Sequence, residues 1–178
     1  HAVTGGYFDC HYGGQLDPSG YVKGWAIERV SDMLAEAGSA NHCVNGGGDV
    51  QCVGSPAPGR LWHVGIADPR HPGRVLASVP GSRLAVATSG SSERGAHIVD
   101  PHTGATPSAF TSITVVGARL AELDAYATAA FAMGADALPW LEAERFTAVL
   151  VSADGEVRIT RFDGSQQARD TYACTHIE

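Results

Sequence analysis

The chain has 178 residues, 44% of them hydrophobic and 17% charged, with a net charge of −7. That length fits one compact domain able to bury a core without disulfide or metal staples. The acidic balance and the lack of any Lys/Arg run argue against a nucleic-acid partner, and no apolar run approaches the roughly 20 residues that span a bilayer.

The opening, His1 to Gly14, is rich in glycine and aromatic residues and reads as irregular. It starts with no Met, signal peptide or lipidation motif, so a processed or truncated start is expected. A helix is predicted from about Tyr21 to Ala37, with Ala26, Val30, Met33, Leu34 and Ala37 at helical spacing and Gly38 as its stop. Strands are predicted at His42 to Asn45 and Asp49 to Val53 around the turn Gly46-Gly47-Gly48, then at Trp62 to Ala67 by alternation. Val75 to Val79 and Arg83 to Thr88 read as a further antiparallel pair, and Ile98-Val99 and Thr111 to Val116 as two more strands. A second helix covers about Ala118 to Met133 and stops at Gly134. Asp136 offers an N-cap to a short third helix that tolerates Pro139 in its first turn. Phe146 to Ser152 and Val157 to Phe162 flank an Asp154-Gly155 hairpin turn. The tail from Ser165 to Glu178 is polar and aperiodic, and is expected to be partly disordered. These elements predict an α+β domain over residues 1–164, with a largely antiparallel sheet and two main helices, followed by the polar tail 165–178. Neither a Rossmann fingerprint nor a P-loop is present.

The four cysteines lack C-x-x-C spacing, which argues against zinc. Cys43 and Cys52 flank the glycine turn and could face each other across two strands, or be two buried thiols.

Four segments concentrate chemistry. In Asp17-Pro18-Ser19-Gly20, followed by Lys23-Gly24, a helix start lies beside a cation, which suits phosphate. The same residues fit a capped helix with a solvated lysine. Asn45-Gly46-Gly47-Gly48-Asp49 has more glycine than a two-residue turn requires. It fits either a flat ligand pressed on backbone or a bulged hairpin. Between Ala87 and Gly104, hydroxyls, His, Asp and Arg gather in one turn-rich stretch, where His97 could act as a general base or serve structure. Asp124 and Thr128 stand one helical turn apart, about 5–6 Å between Cβ atoms. Their oxygens could bind a hard cation such as Mg²⁺, or Asp124 could hydrogen-bond nearby backbone.

Together and in this order, the segments resemble one family, the ApbE-like FAD:protein FMN transferases. The matching residues are Gly5-Gly6-Tyr7-Phe8-Asp9, Asp17-Pro18-Ser19-Gly20 with Lys23-Gly24, Asn45 to Asp49, Ala87-Thr88-Ser89-Gly90, His97-Ile98-Val99-Asp100-Pro101 with Thr103-Gly104, and Asp124 with Thr128. The resemblance runs from Gly5 to about Phe162. It implies a transferase that uses Mg²⁺ and FAD and moves FMN onto a threonine in the flavinylation motif of an acceptor flavoprotein, releasing AMP. By the same resemblance, Asp124 and Thr128 bind Mg²⁺ with a backbone carbonyl near Gly20. Phe8, Asp9, Asp17, Lys23, Asp49, Ser89 and His97 contact FAD, and His97 is the catalytic residue. The alternatives are Mg²⁺-dependent FAD hydrolysis to FMN and AMP, and flavin binding without turnover. Relatives are often exported and lipid-anchored, and no residue here records a compartment. Departures from the family pattern are an expected missing segment before Gly5, a short stretch between Asp9 and Asp17, Val22 for a frequent Ala, Glu28 for a common Asp, and Ser92 for a common Tyr near the flavin.

Overall fold

The structure is a computed structural model that describes residues 1–91 and 97–160 and the backbone of Thr175–His176. An irregular opening with one 3-10 turn at Tyr12–Gly14 leads into α1 (Ser19–Glu36). Five strands follow: β1 (His42–Gly46), β2 (Asp49–Val53), β3 (Trp62–Ala67), β4 (Val75–Gly81) and β5 (Arg83–Gly90). Then come β6 (Phe110–Gly117), α2 (Leu120–Met133), α3 (Ala137–Ala143), β7 (Thr147–Ser152), β8 (Val157–Thr160) and β9 (Thr175–His176). Among the described residues the strands form two antiparallel sheets, one ordered β1-β2-β5-β6-β7-β8 and the other β3-β4-β9. The α+β class therefore holds.

The layers follow from strand alternation. Ala85, Ala87, Ile113, Val115, Ala148 and Leu150 face α2 from the large sheet. Val50, Cys52, Leu84, Val86, Val116 and Val149 point the other way, onto Ile66, Ala77 and Val79 of the small sheet. A sheet covered on both faces reads as a continuous apolar run, and Leu84, Ala85, Val86 and Ala87 of β5 are all buried. α2 is buried nearly all round, which explains its run of alanines.

Four sequence expectations need correction. Strands β4 and β5 do not pair with each other. β4 pairs with β3 and β9, and β5 with β2 and β6. One residue, Ser82, joins them, too little for a hairpin turn, so the chain passes from one sheet to the other. Ile98-Val99 is not a strand; it is loop leading into a turn built on Asp100. Asp136 precedes α3 but makes no side-chain cap. The apolar residues at helical spacing on α1 do not mark its inner side: Val30 and Met33 are 45% and 55% exposed. The buried side is Gly24, Ile27 and Ser31.

Close approach explains this. A Cβ on Gly24 would lie 2.6 Å from the Leu120 carbonyl oxygen of α2, and one on Gly46 of β1 would lie 2.7 Å from Ile27. The side of α1 that meets its neighbours is therefore built from Gly24 and Ser31, with Ile27 fitting where Gly46 has no side chain. Ser31 Oγ lies 2.8 Å from His42 Nε2, which ties α1 to the start of β1. Of the tail, Thr175 and His176 pair with Ser78 and Ala77. The rest of the tail, Phe162 and Ser92 lie outside the described residues.

Candidate active site

The β2–β5 ladder ends at Val50–Val86. β5 runs on past it, and its residues 88–90 form one wall of a cleft of about 760 Å³, a size usual for ligand pockets. The β1–β2 turn, β3, the start of α1, the opening segment and the loop 97–104 supply the rest.

The centre of the cleft is where α1 meets α2. Gly20 and Gly24 stand one turn apart on α1, against Leu120, Asp124 and Thr128 at successive turns of α2. A Cβ on Gly20 would come within 2.8 Å of Thr128 Oγ1 and 3.1 Å of Phe8. The Gly24 N–H, which a regular helix aims at the Gly20 carbonyl, donates to Asp124 Oδ2 at 2.8 Å. Ser89 Oγ lies 3.2 Å from Thr128 Oγ1. Asp124, Thr128, Ser89 and Gly20, singled out from three separate segments, thus come together.

Lys23 binds the centre to the sheet. Its Nζ lies 2.8 Å from Asp49 Oδ2 and 3.9 Å from Asp124 Oδ1. The Asp49 contact is an ion pair with a buried carboxylate. Asp49 Oδ1 accepts the Thr88 N–H at 3.0 Å. Asp49 is 1% exposed, and it does not line the cleft. It anchors Lys23 and β5 from behind the wall, whereas its neighbours Gly47 and Gly48 face the cavity. The glycine run has local causes as well: Gly47 and Gly48 adopt positive φ in the turn, and Gly46 makes room for Ile27.

At the mouth, Asp17 Oδ1 accepts the Ser19 N–H at 3.0 Å. The Ser19 hydroxyl and N–H hold the Asp17 carboxyl below its ordinary 3.8. The Tyr21 and Val22 N–H groups both reach the Pro18 carbonyl. The helix start therefore offers fewer donors to a phosphate than its sequence implies. His97 is exposed and lines the cleft.

The loop after His97 is wound on Asp100, which accepts the Thr103 hydroxyl at 2.7 Å and the His102 N–H at 2.9 Å. Burial raises the Asp100 carboxyl, but these bonds outweigh it and leave the pKa below 3.8. Its role is to shape the loop. His102 then reaches the Gly5 carbonyl at 3.1 Å and meets the Tyr7 ring edge-on. That contact sets Phe8 and Asp9 at the cleft. Asp9 Oδ1 accepts the His11 N–H at 2.9 Å.

Sequence reasoning missed the wall His63 to Ala67 of β3, and Tyr12. An alternating strand carries no mark of what its outward residues face. Glu28, noted in the sequence only as a departure from the family pattern, has a structural partner set: its Oε2 accepts the Ala121 N–H at 2.9 Å and its Oε1 accepts from Arg119 Nε at 3.2 Å.

The comparisons agree with this geometry. A family model described as the ApbE family matches residues 9–151. A protein of Rhodobacter capsulatus named FAD:protein FMN transferase is 34% identical over 156 residues, 82% of this chain and 30% of that protein. The crystal structure of the ApbE protein from Thermotoga maritima superposes with a TM-score of 0.74 at 29% identity, covering 82% of this chain and 51% of that one. The flavin transferase ApbE from Vibrio cholerae gives 0.69 at 26% identity, covering 82% of this chain and 50% of that one. The chain thus spans about half the length of these solved relatives and 30% of the Rhodobacter protein. On the family match and the shared fold, this chain belongs to the ApbE family.

Proposed function

We propose that the cleft binds FAD and that the protein transfers its FMN half to a threonine hydroxyl of an acceptor protein, with AMP as the leaving group. The observation that carries this reading is the meeting of Asp124, Thr128 and Ser89 with the glycine-lined start of α1, beside Lys23 and in one cleft with His97. The relatives named as flavin transferases support it.

The donor set fits Mg²⁺. Among the described residues no group of three or more His, Cys, Asp or Glu is placed to hold a metal. One carboxylate with hydroxyl and carbonyl oxygens is nonetheless what Mg²⁺ takes when substrate phosphates and waters complete its shell. Asp124, Thr128 and the Gly20 carbonyl would hold the ion, which would neutralise diphosphate charge when bound. The Gly24 N–H fixes how Asp124 presents its carboxylate. Lys23 adds positive charge beside the same phosphates. His97, open to an incoming protein, accepts the threonine proton as the oxygen bonds to the phosphorus bearing riboflavin. The diphosphate P–O bond breaks, and AMP keeps the bridging oxygen.

Incubating an acceptor protein with FAD and Mg²⁺ should add the mass of FMN, less water, to one threonine and release AMP. Asp124→Ala should lose the Mg²⁺-dependent part of that turnover. His97→Ala should slow transfer by about 100- to 10,000-fold, the usual contribution of a general base, with FAD affinity and melting temperature little changed. AMP release with an unmodified acceptor would replace transfer with hydrolysis.

A further inference from the structure

Cys43 and Cys52 stand directly opposite each other in the β1–β2 ladder. The turn between the strands is Gly47-Gly48, both with positive φ, at 61° and 89°, the signature of a two-residue type I′ hairpin. In such a hairpin the closing pair, Gly46 and Asp49, is hydrogen-bonded, and bonded and non-bonded pairs alternate from there. Cys43 and Cys52, the third pair beyond, fall on a non-bonded site. The Cα atoms of such pairs lie about 4.5 Å apart, inside the roughly 4.4–6.8 Å that a disulfide needs. The sulfurs already lie 3.0 Å apart. The two thiols differ in access. Cys43 is exposed and borders the cleft, whereas Cys52 is wholly buried among Val50, Leu84 and Val86.

We infer that Cys43 and Cys52 form a redox-active dithiol site, whose oxidation ties the edge strand β1 to β2 in the wall of the cleft. The oxidant is a low-molecular-weight disulfide. The Cys43 thiolate attacks one of its sulfurs and forms a mixed disulfide, expelling the first small thiol. Cys52 then gives up its proton and attacks the Cys43 sulfur, expelling the second. Two protein thiols are oxidised and one external disulfide is reduced to two thiols. Burial and the neighbouring Cys43 raise the pKa of Cys52, which suits the order in which Cys43 attacks and Cys52 resolves. Among the described residues β1 is an edge strand paired with β2 alone, and with the turn it carries Asn45, Gly47 and Gly48 of the cleft wall. The bond therefore fixes a part of the site that backbone pairing holds least. The inference does not depend on which ligand the cleft takes.

The test is to titrate the whole chain with oxidised glutathione, block remaining thiols and cleave before Asp49 with an aspartate-specific protease. Cys43 and Cys52 then fall on separate fragments unless bonded. The expected result is a fragment pair that stays joined until a reductant is added, with melting raised by roughly 5 °C or more, as closing a short loop predicts. Cys52→Ala should instead trap the glutathione adduct on Cys43. A wild-type reaction that stops at that adduct, a link from either residue to Cys10 or Cys174, or a Cys52→Ala chain that takes up no glutathione would each overturn the inference.

Discussion

Gly24 has no side chain to offer the reaction, yet Asp124 depends on it. Its N–H orients the carboxylate and its missing Cβ lets α1 lie on α2. Gly24→Ala puts a methyl group 2.6 Å from a carbonyl oxygen of a buried helix. Backbone on both sides must move, so a loss of about 1–3 kcal/mol is expected, along with weaker FAD binding as Asp124 shifts. Urea unfolding and a flavin fluorescence titration on one preparation read both. An alanine variant with wild-type stability would show that the helices are not in close contact. Lys23 is a comparable case. Its sequence context leaves a choice between a phosphate ligand and a solvated charge, and the structure gives it two carboxylate neighbours, of which Asp49 is 1% exposed. Lys23→Ala strands a buried carboxylate, so it should cost about 1–3 kcal/mol of stability as well as lowering FAD affinity. Lys23→Arg should recover much of the stability. An alanine variant that loses affinity alone would return Lys23 to a pure ligand role.

At the scale of elements, the sequence is legible where local chemistry decides and misleading where a neighbour does. Gly134 ends α2 and the Asp154-Gly155 turn joins β7 to β8, because both signals act within a few residues. Apolar spacing does not reveal the inner face of α1, because close packing selects Gly24 and Ser31, whose hydrophobicity is low, and leaves Val30 and Met33 outside. The N-terminus of α2 is the clearest instance of distant control. Its own N-cap position, Arg119, makes no side-chain cap. The first N–H groups are satisfied from far along the chain, by Gln51 Oε1 on Leu120 and Glu28 Oε2 on Ala121. Glu28→Ala should therefore behave like the loss of a capping residue, at about 1–2 kcal/mol, and Glu28→Gln should retain part of the bond. Equal stability of the alanine variant and the parent would mean that water replaces the carboxylate.

Across the whole molecule, the site is legible as a set of segments and illegible as a cavity. Asp124, Thr128, Ser89 and Gly20 were chosen for their chemistry and do converge, whereas Asp49 sits behind the wall and the β3 wall gave no sign of itself. Several carboxylates shape loops, and they set how the fold responds to acid. Asp68, between β3 and β4, is held below its ordinary 3.8 by the Arg70 N–H first and by His71 next. Asp154 is lowered by the Ser152 hydroxyl first and then by the Glu156 N–H. Asp17 and Asp100 are lowered too. A carboxyl whose folded pKa lies below its unfolded one binds fewer protons in the native state. Its contribution is complete above the unfolded value and is lost as pH falls through the folded one. Stability from these four groups should thus be flat from neutral pH down to about pH 5 and fall progressively below it. The Asp68 side chain is fully enclosed, within 2.9 Å of His71 Nδ1 and 3.6 Å of Arg70 Nε, which makes it the informative position. Asp68→Asn keeps an acceptor for the Arg70 N–H but cannot ionise. It should lower the urea midpoint at pH 7 and give a shallower decline below pH 5 than the parent. An acid limb as steep as the parent's would mean that Asp68 does not take part in the linkage and that other carboxyls set the acid sensitivity.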